Sequence, residues 1–300
     1  MYKVDWSGIF PVVVTPFKAD FLIDEKLFLK LIDDAIANGA NGVVVAGSTG
    51  EFYALSREER THLFNISVAH VAGRVPVLAG VADLRVEDVV DACKSALSAG
   101  CVGAMILPPV YAMPNPREIV AFFEYVANAC PLPLMLYNSP RRAGVDLTPA
   151  LVEQLAKIPT VVAIKDSSGL IVQVGELMQR VGDRLRVFVG YETMIVPARA
   201  LGAHGVIAMA HQVSGPLIRD YWAAAGANDR AKADELGRDV FAIYRCFGSG
   251  AYYAAIKETM GQLGRDVGGP RMPLLPLAED QKAAITKIIA DAGLKRWAKA

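Results

Sequence analysis

A lysine at the end of an apolar, β-branched segment is the residue of this sequence with the clearest chemical potential. Lys165 follows four apolar residues in the segment VVAIKDSSG. Burial at such a position disfavours the ammonium form, and a neutral lysine amine can attack a carbonyl carbon to form a Schiff base. The competing interpretation is a lysine whose stem packs against a strand while its ammonium extends into water. Other residues must distinguish the two.

Hydroxyl groups follow several other apolar segments. Tyr137 ends the segment LPLMLY, Tyr111 follows PPV, and Ser48 and Thr49 lie in GSTGE. A phenol can donate and accept protons around a carbonyl adduct, and hydroxyls beside glycines can bind a carboxylate together with exposed backbone amides. Each residue alone has an ordinary structural explanation. Together they predict a proton relay and an anion-binding loop that face the lysine amine.

Two neighbouring arginines lie in the segment YNSPRRAG. The guanidinium fork of Arg142 suits a second carboxylate, on the partner substrate, and Arg141 is the competing candidate. Arginines in loops are also commonly exposed without a binding role. The residue types alone leave both interpretations open.

The composition argues against several other classes of function. The 31 basic and 31 acidic side chains balance, and no segment combines basic residues with aromatic ones as a nucleic-acid site would. The four cysteines and four histidines show no spacing typical of a metal site. No signal peptide or membrane-spanning segment is predicted. We therefore expect a cytoplasmic protein with no metal, no cofactor, and no nucleic-acid or membrane partner.

The elements that position these residues are eight short, almost continuously apolar segments. They occupy residues 9–14, 42–46, 75–81, 102–107, 132–137, 160–164, 186–190 and 205–209. Continuous apolar character predicts strands covered on both faces, as in a parallel sheet. Amphipathic segments with helix-start signals, such as Ser56 with Glu59, lie between them. We predict an α/β fold, a (β/α)8 TIM barrel, with an open doubly wound sheet as the alternative; in a barrel, reactive residues belong at the carboxyl ends of the strands.

The chain continues beyond the eighth strand for about ninety residues with a helical pattern. Breaks are expected near 225–228, 247–250 and 264–276, the last as an ordered loop. No flexible linker precedes this part. The predicted organisation is a barrel at 1–224 and a C-terminal helical extension at 225–300 that packs on it.

Several ordered motifs resemble the dihydrodipicolinate synthase/N-acetylneuraminate lyase family of Schiff-base-forming aldolases, across essentially the whole chain. The motifs are GSTGE at 47–51, Pro-Pro-x-Tyr at 108–111, YNxPxRxG at 137–144, IKDSSG at 164–169, GYE at 190–192 and GAHGVIA at 202–208.

The resemblance implies a catalytic group of four residues. Pyruvate or a related 2-oxo acid would form an imine with Lys165, and Tyr137 would transfer protons beside it. Ser48 and Tyr111 would complete the relay, with Tyr111 reaching into the site of a partner subunit. Family members usually form tetramers of tight dimers, so the resemblance implies a homotetramer.

The resemblance also implies a set of substrate-binding positions. Thr49 would hold the pyruvate carboxylate, and the backbone at Gly190 and Ile207 would line the pocket. Arg142 matches the arginine that holds aspartate semialdehyde in the synthases. The best specific expectation is therefore 4-hydroxy-tetrahydrodipicolinate synthase.

Other positions depart from the synthase pattern. Ser48 stands where the synthases usually have Thr, Val110 replaces the first tyrosine of a pair, and AYYAAIK at 251–257 lacks the usual Asn-Pro-x-Pro. One alternative is therefore an aldolase, dehydratase or deaminase of another 2-oxo acid, such as a 2-keto-3-deoxy sugar acid or a hydroxyproline-derived pyrroline. A non-catalytic ligand-binding relative is a further alternative. Leu84 and Asp88 replace the Asn and Glu of lysine-inhibited synthases, so insensitivity to lysine is expected.

Overall fold

Eight parallel strands surround a common axis in the computed structural model, which describes residues 2–298. The strands are β1 (Gly8–Pro11), β2 (Val43–Val45), β3 (Val77–Gly80), β4 (Gly103–Ile106), β5 (Leu134–Asn138), β6 (Val161–Asp166), β7 (Arg186–Val189) and β8 (Gly205–Ala208). From β2 to β8 each strand pairs with the next, β1 pairs with β8, and a bridge between Val12 and Val44 joins the edges at β1 and β2. The predicted (β/α)8 barrel is confirmed, and the open doubly wound alternative is wrong because no pair of free edges remains.

Helices connect the strands at the positions that the sequence signals indicate. They are α1 (Glu25–Ala37), α2 (Arg57–Val71), α3 (Val86–Ala99), α4 (Pro116–Ala129), α5 (Pro140–Ala143), α6 (Pro149–Leu155), α7 (Ile171–Val181) and α8 (Ile195–Ala200). Ser56 and Glu59 form the predicted capping box at the start of α2. None of the helices within residues 2–298 combines the length and apolar character needed to cross a membrane.

Two hydrophobic layers hold the barrel together. One lies between strands and helices, and the other fills the barrel interior with side chains that include Phe10, Leu78, Met135 and Phe188. The rings of Phe10 and Phe188 meet edge to face with centroids 5.3 Å apart. The interior is therefore a packed core, which leaves the barrel mouth as the place for chemistry.

Within residues 2–298, five α-helices follow β8. They are α9 (Ala210–Val213), α10 (Gly215–Gly226), α11 (Arg230–Phe247), α12 (Tyr252–Gln262) and α13 (Glu279–Asp291). The predicted breaks fall between α10 and α11, α11 and α12, and α12 and α13. Apolar residues of α11, α12 and α13 belong to the same core layer as the barrel helices. The proposed division at residue 224 falls within α10, which runs to Gly226.

Candidate active site

Lys165 and Tyr137 are direct neighbours across two strands at the barrel mouth. They are register partners in β6 and β5, and the Lys165 Nζ lies 3.9 Å from the centroid of the Tyr137 ring. Lys165 is only 2% exposed. The structure therefore places the amine inside the barrel mouth and not in bulk water.

The electrostatic environment favours reactive forms of both groups. Burial lowers the pKa of Lys165 below its ordinary value, although Tyr137 opposes part of this shift. Burial alone would raise the pKa of Tyr137, but the positive charges of Lys165 and Arg142 outweigh it and hold that pKa below its ordinary value. Hydrogen bonds with Ser139 and Ser48 act in the same direction. The buried amine thus loses its proton more readily than a free lysine, and while it is charged it helps the neighbouring phenol to give up its own.

The residues that follow Tyr137 and Lys165 on their strands form a hydrogen-bond network on the outer side of the barrel. Successive side chains on a strand point to opposite faces, so Asn138 and Asp166 point away from the barrel interior. The Asn138 Nδ2 donates to Asp166 Oδ1 (2.9 Å) and to Asp146 Oδ1 (2.7 Å), and Gln173 of α7 donates to the same two oxygens. This buried network fixes the ends of β5 and β6 relative to each other.

Gly190 lies directly after β7, where the lysine chain needs space. A Cβ at this position would lie 1.8 Å from Ser167 Oγ and 3.0 Å from Lys165 Cε. No side chain fits there without displacing one of them. The glycine therefore allows the lysine to keep its position.

A cavity of about 200 Å³ opens above the lysine. Six of the predicted site residues line it: Lys165, Tyr137, Ser48, Thr49, Arg142 and Gly190. The competing candidate Arg141 lines it as well. A small polar cavity with an amine, phenols and two guanidinium groups suits a small anionic carbonyl compound.

A comparison with known families identifies the family of the chain. The sequence profile of the "Dihydrodipicolinate synthetase family" matches residues 5–292. The chain belongs to this family. Its members are lyases and synthases, so the protein is an enzyme of this class.

Known relatives of this family resemble the chain along nearly its full length. The 4-hydroxy-tetrahydrodipicolinate synthase of Halorhodospira halophila is 32% identical over 295 residues, which is 97% of this chain and 98% of the relative. The crystal structure of dihydrodipicolinate synthase DapA-2 from Bacillus anthracis has a TM-score of 0.92 at 32% identity, with 96% and 99% of the two chains covered. YagE, a prophage protein of this family from E. coli K12 solved in complex with pyruvate, has a TM-score of 0.91 at 30% identity, with 96% and 99% covered.

Two of the predicted site residues, Tyr111 and Ile207, do not line the cavity in the part of the chain that the structure describes. Tyr111, in the loop after β4, is 93% exposed and has a left-handed backbone with φ +71°. Ile207 of β8 packs in the barrel interior, where it is the register partner of Phe10. On the β8 side, Met209 lines the cavity.

The cavity has further wall residues that the sequence analysis did not select. Ser139, Ser167 and Tyr191 belong to the family motifs already quoted, whereas Tyr252 and Tyr253 come from α12, far along the chain. The Arg142 guanidinium lies over the ring of Tyr253 at 4.7 Å and over that of Tyr252 at 5.7 Å. The only sequence signal for this pair was its position in the segment that departs from the synthase pattern.

A buried ion pair joins α12 to the loop that carries Ser48. The Lys257 Nζ lies 2.6 Å from Glu51 Oε1, and both side chains are fully buried or nearly so. Glu51 itself has a left-handed backbone, with φ +57°. Lys257 also donates to the carbonyl of Gly269 at 3.0 Å. The C-terminal extension thus helps to hold the loop at residues 47–51 that carries Ser48 and Thr49.

A second buried carboxylate connects the loops after β7 and β8. Glu192 accepts hydrogen bonds from the backbone N–H groups of Met209 (2.6 Å) and Ala210 (2.5 Å), and from the Tyr244 hydroxyl of α11 (2.5 Å). Burial raises the pKa of this carboxyl. The contacts fix Tyr191 and Met209, the two wall residues on either side.

Proposed function

We propose that this enzyme binds pyruvate or a related 2-oxo acid as a Schiff base on Lys165. The observation that carries the proposal is the buried Lys165 amine, 3.9 Å from the centroid of the Tyr137 ring, at the base of a small cationic cavity. A buried lysine with a lowered pKa is the form of lysine that attacks carbonyl carbons.

The chemistry follows from this arrangement. The Lys165 nitrogen attacks the ketone carbon, and the carbonyl oxygen takes one proton from the amine and one from the Tyr137 phenol. The oxygen then leaves as water, which gives an iminium ion and a Tyr137 phenolate. The Tyr137 phenolate then removes a proton from the adjacent methyl group, and the electron pair of that C–H bond moves to give an enamine. The hydroxyl of Thr49 is placed on the cavity wall, where a substrate carboxylate can accept its hydrogen bond. The enamine carbon finally bonds to the carbonyl carbon of a second substrate, or the reverse cleavage occurs.

For the specific reaction we propose 4-hydroxy-tetrahydrodipicolinate synthesis from pyruvate and aspartate semialdehyde. Arg142 supports this choice because its guanidinium stands at the cavity wall, where it can pair with the carboxylate of the semialdehyde. The name of the Halorhodospira halophila relative agrees with it.

A second candidate is cleavage, dehydration or deamination of another 2-oxo acid. The observation that favours it is the pair Tyr252 and Tyr253 on the cavity wall, in the segment where many synthases have Asn-Pro-x-Pro. Two phenols there offer hydrogen bonds to a hydroxylated substrate.

We also propose a cytoplasmic homotetramer of the family type, in which Tyr111 would approach a partner's site. The exposure of Tyr111 in the single chain supports this arrangement. Light scattering of the purified protein measures the subunit count directly.

The test of the shared chemistry is reductive trapping. Borohydride added with pyruvate should give a stable adduct by intact mass, and peptide mapping should place it on Lys165. The second buried lysine, Lys257, provides an internal control because its amine pairs with Glu51. An adduct that persists in Lys165→Ala would refute the proposal. Two activity assays separate the two candidate reactions. Turnover of pyruvate with aspartate semialdehyde would support the synthase reaction, and release of pyruvate from hydroxylated 2-oxo acids would support the second candidate.

A further inference from the structure

Arg142 lies over the faces of two tyrosine rings at the cavity wall. Its guanidinium carbon is 4.7 Å from the centroid of the Tyr253 ring and 5.7 Å from that of the Tyr252 ring. At such distances the negative face of an aromatic ring attracts a cation. Within residues 2–298, Arg142 forms no ion pair with a carboxylate. The rings therefore hold the guanidinium in place without neutralising its charge.

The wall of the cavity contains no carboxylate among the described residues. The buried carboxylates around it are engaged elsewhere: Glu51 pairs with Lys257, Glu192 accepts backbone N–H groups, and Asp166 accepts side-chain amides. The charge of Arg142 is thus not compensated within the chain. A carboxylate of a bound substrate would compensate it with charge-assisted hydrogen bonds.

The two rings beneath Arg142 are themselves fixed by packing. Tyr253 is 7% exposed, and its ring lies 5.8 Å from that of Tyr53. The Tyr252 ring lies 5.6 Å from that of Phe247 in α11 and 5.6 Å from that of Tyr253. Both tyrosines begin α12, a helix that a buried ion pair ties to the loop at residues 47–51. The support of the guanidinium is therefore rigid before any substrate binds.

Arg141, the competing candidate, has no comparable support. It lines the cavity and is exposed, but within residues 2–298 it lies over no ring and forms no ion pair. A long side chain that is free in solution loses conformational entropy when a ligand orders it. Arg142 has already lost much of this freedom. The two neighbouring arginines therefore differ in preorganisation, and Arg142 is the one prepared to bind.

We propose that the ring faces of Tyr252 and Tyr253 position Arg142 to receive a carboxylate at the far end of the carbonyl substrate. The tyrosines act through the arginine and not on the reacting atoms, so they are positioning residues. The inference deepens the proposed Schiff-base chemistry and rests on it. It assigns the cavity to a carbonyl partner with an acid group, and it gives the tyrosines a role that depends on their rings and not on hydroxyl contacts with a sugar-like substrate.

The experiment is borohydride trapping on Lys165 with two seven-carbon 2-oxo acids. 2-Oxopimelate has the carbon skeleton that pyruvate and aspartate semialdehyde form when joined, with a carboxylate at its far end. 2-Oxoheptanoate has the same chain length and a methyl group in place of that carboxylate. Intact mass at a series of concentrations gives the half-saturating concentration of each acid. For the wild type we expect a value at least about tenfold lower for 2-oxopimelate, because hydrogen bonds between charged groups are the strong ones.

Removal of a ring face should weaken only the acid with the far carboxylate. In Tyr253→Leu the half-saturating concentration of 2-oxopimelate should rise about fivefold, and those of 2-oxoheptanoate and pyruvate should change less than about twofold. The conservative variant Tyr253→Phe keeps the ring and should restore the wild-type preference. Trp222→Leu is the matched control, because Trp222 supports Arg199 at 4.4 Å outside the cavity wall. It should match the wild type with all three acids.

A double-mutant cycle tests whether the tyrosine acts through the arginine. Arg142→Gln should abolish the preference for 2-oxopimelate, and addition of Tyr253→Leu to this variant should have no further effect on the preference. A further loss would overturn the proposal. Arg142 is exposed, so Arg142→Gln tests the proposal even where Tyr253→Leu does not fold. Tyr252→Leu should show the ring effect at about half its size or less, because that ring is farther from the guanidinium.

The remaining outcomes separate the positioning role from the proposed function. Absence of a pyruvate adduct in the wild type would refute the Schiff base, and the inference with it. A pyruvate adduct with equal binding of the two seven-carbon acids would refute the inference alone. Equal losses in Tyr253→Phe and Tyr253→Leu would also overturn it, because the hydroxyl would then be the active group. So would a preference that Arg141→Gln abolishes and Arg142→Gln retains.

Discussion

Replacement of Lys257 by Met should destabilise the protein strongly, because it leaves a carboxylate buried without its cation. The Lys257 Nζ lies 2.6 Å from Glu51 Oε1 inside the protein. At an effective dielectric constant of about 20, two charges at that distance attract by roughly 6 kcal/mol. Desolvation costs several kcal/mol for each ion, so the intact pair is close to neutral in its net contribution. When Lys257 is replaced, the Glu51 carboxylate stays buried, so its desolvation cost remains without the attraction that offset it.

The expected loss in the free energy of unfolding for Lys257→Met is about 3–5 kcal/mol. Unfolding entropy is about 2.1 cal/mol/K per residue, or about 0.63 kcal/mol/K for 300 residues, so the thermal midpoint should fall by about 5–8 °C.

Calorimetry or urea titration at pH 7 measures this loss. Lys232→Met is a matched control, because Lys232 pairs with Glu235 at 3.0 Å on the surface and its loss should cost less than about 1 kcal/mol. The double variant Glu51→Gln/Lys257→Met removes both charges and should recover part of the stability. A Lys257→Met protein within 1 kcal/mol of wild type, or a double variant less stable than the single one, would refute the reasoning.

Three further predictions concern the cavity and its surroundings. Gly190→Ala should slow borohydride trapping about 100-fold, because the added Cβ must displace Ser167 or Lys165 and a displacement of a reacting group by about 1 Å has effects of that size. An unchanged trapping rate would contradict the packing argument. The trapping rate should rise with pH as the Lys165 amine loses its proton. Because burial lowers the pKa of Lys165, the rate should level off below the ordinary lysine pKa of about 10.4. A midpoint of the rate profile at the ordinary value would indicate an exposed amine. L-Lysine at about 1 mM should leave turnover unchanged, because the Leu84 side chain cannot hydrogen-bond an effector and Asp88 replaces the Glu of lysine-inhibited synthases. Half-inhibition at that concentration, which corresponds to a binding free energy of about −4 kcal/mol, would contradict this prediction.

The barrel and the centre of its cavity were predictable from the sequence, because the order and the ends of the strands determine both. Eight continuously apolar segments have few packing solutions, and the carboxyl ends of parallel strands meet at one face. Tyr137 and Lys165 end neighbouring segments, so their contact followed from strand order alone. Their burial did not, because a lysine at a strand end can extend into water equally well.

The far wall of the cavity could not be predicted in this way. Tyr252 and Tyr253 lie on α12, which follows the eight repeats and has no strand to fix its place at the mouth. Their helix is positioned by Lys257, whose partner Glu51 is about two hundred residues away in the sequence. Tyr111 illustrates a different limit, because the packing of the described chain gives this exposed loop side chain no fixed surroundings.

The alternation of side chains along β5 and β6 explains why this chemistry is placed at strand ends. On each strand one residue points inward to the cavity, as Tyr137 and Lys165 do, while the next points outward and anchors, as Asn138 and Asp166 do. A strand end therefore holds a reactive group from behind without occupying the cavity in front of it. The wall in front comes from α12, outside the barrel repeats. In the proposed chemistry the strand ends form the imine and α12 selects the carbonyl compound, so the elements that set these two properties are physically separate.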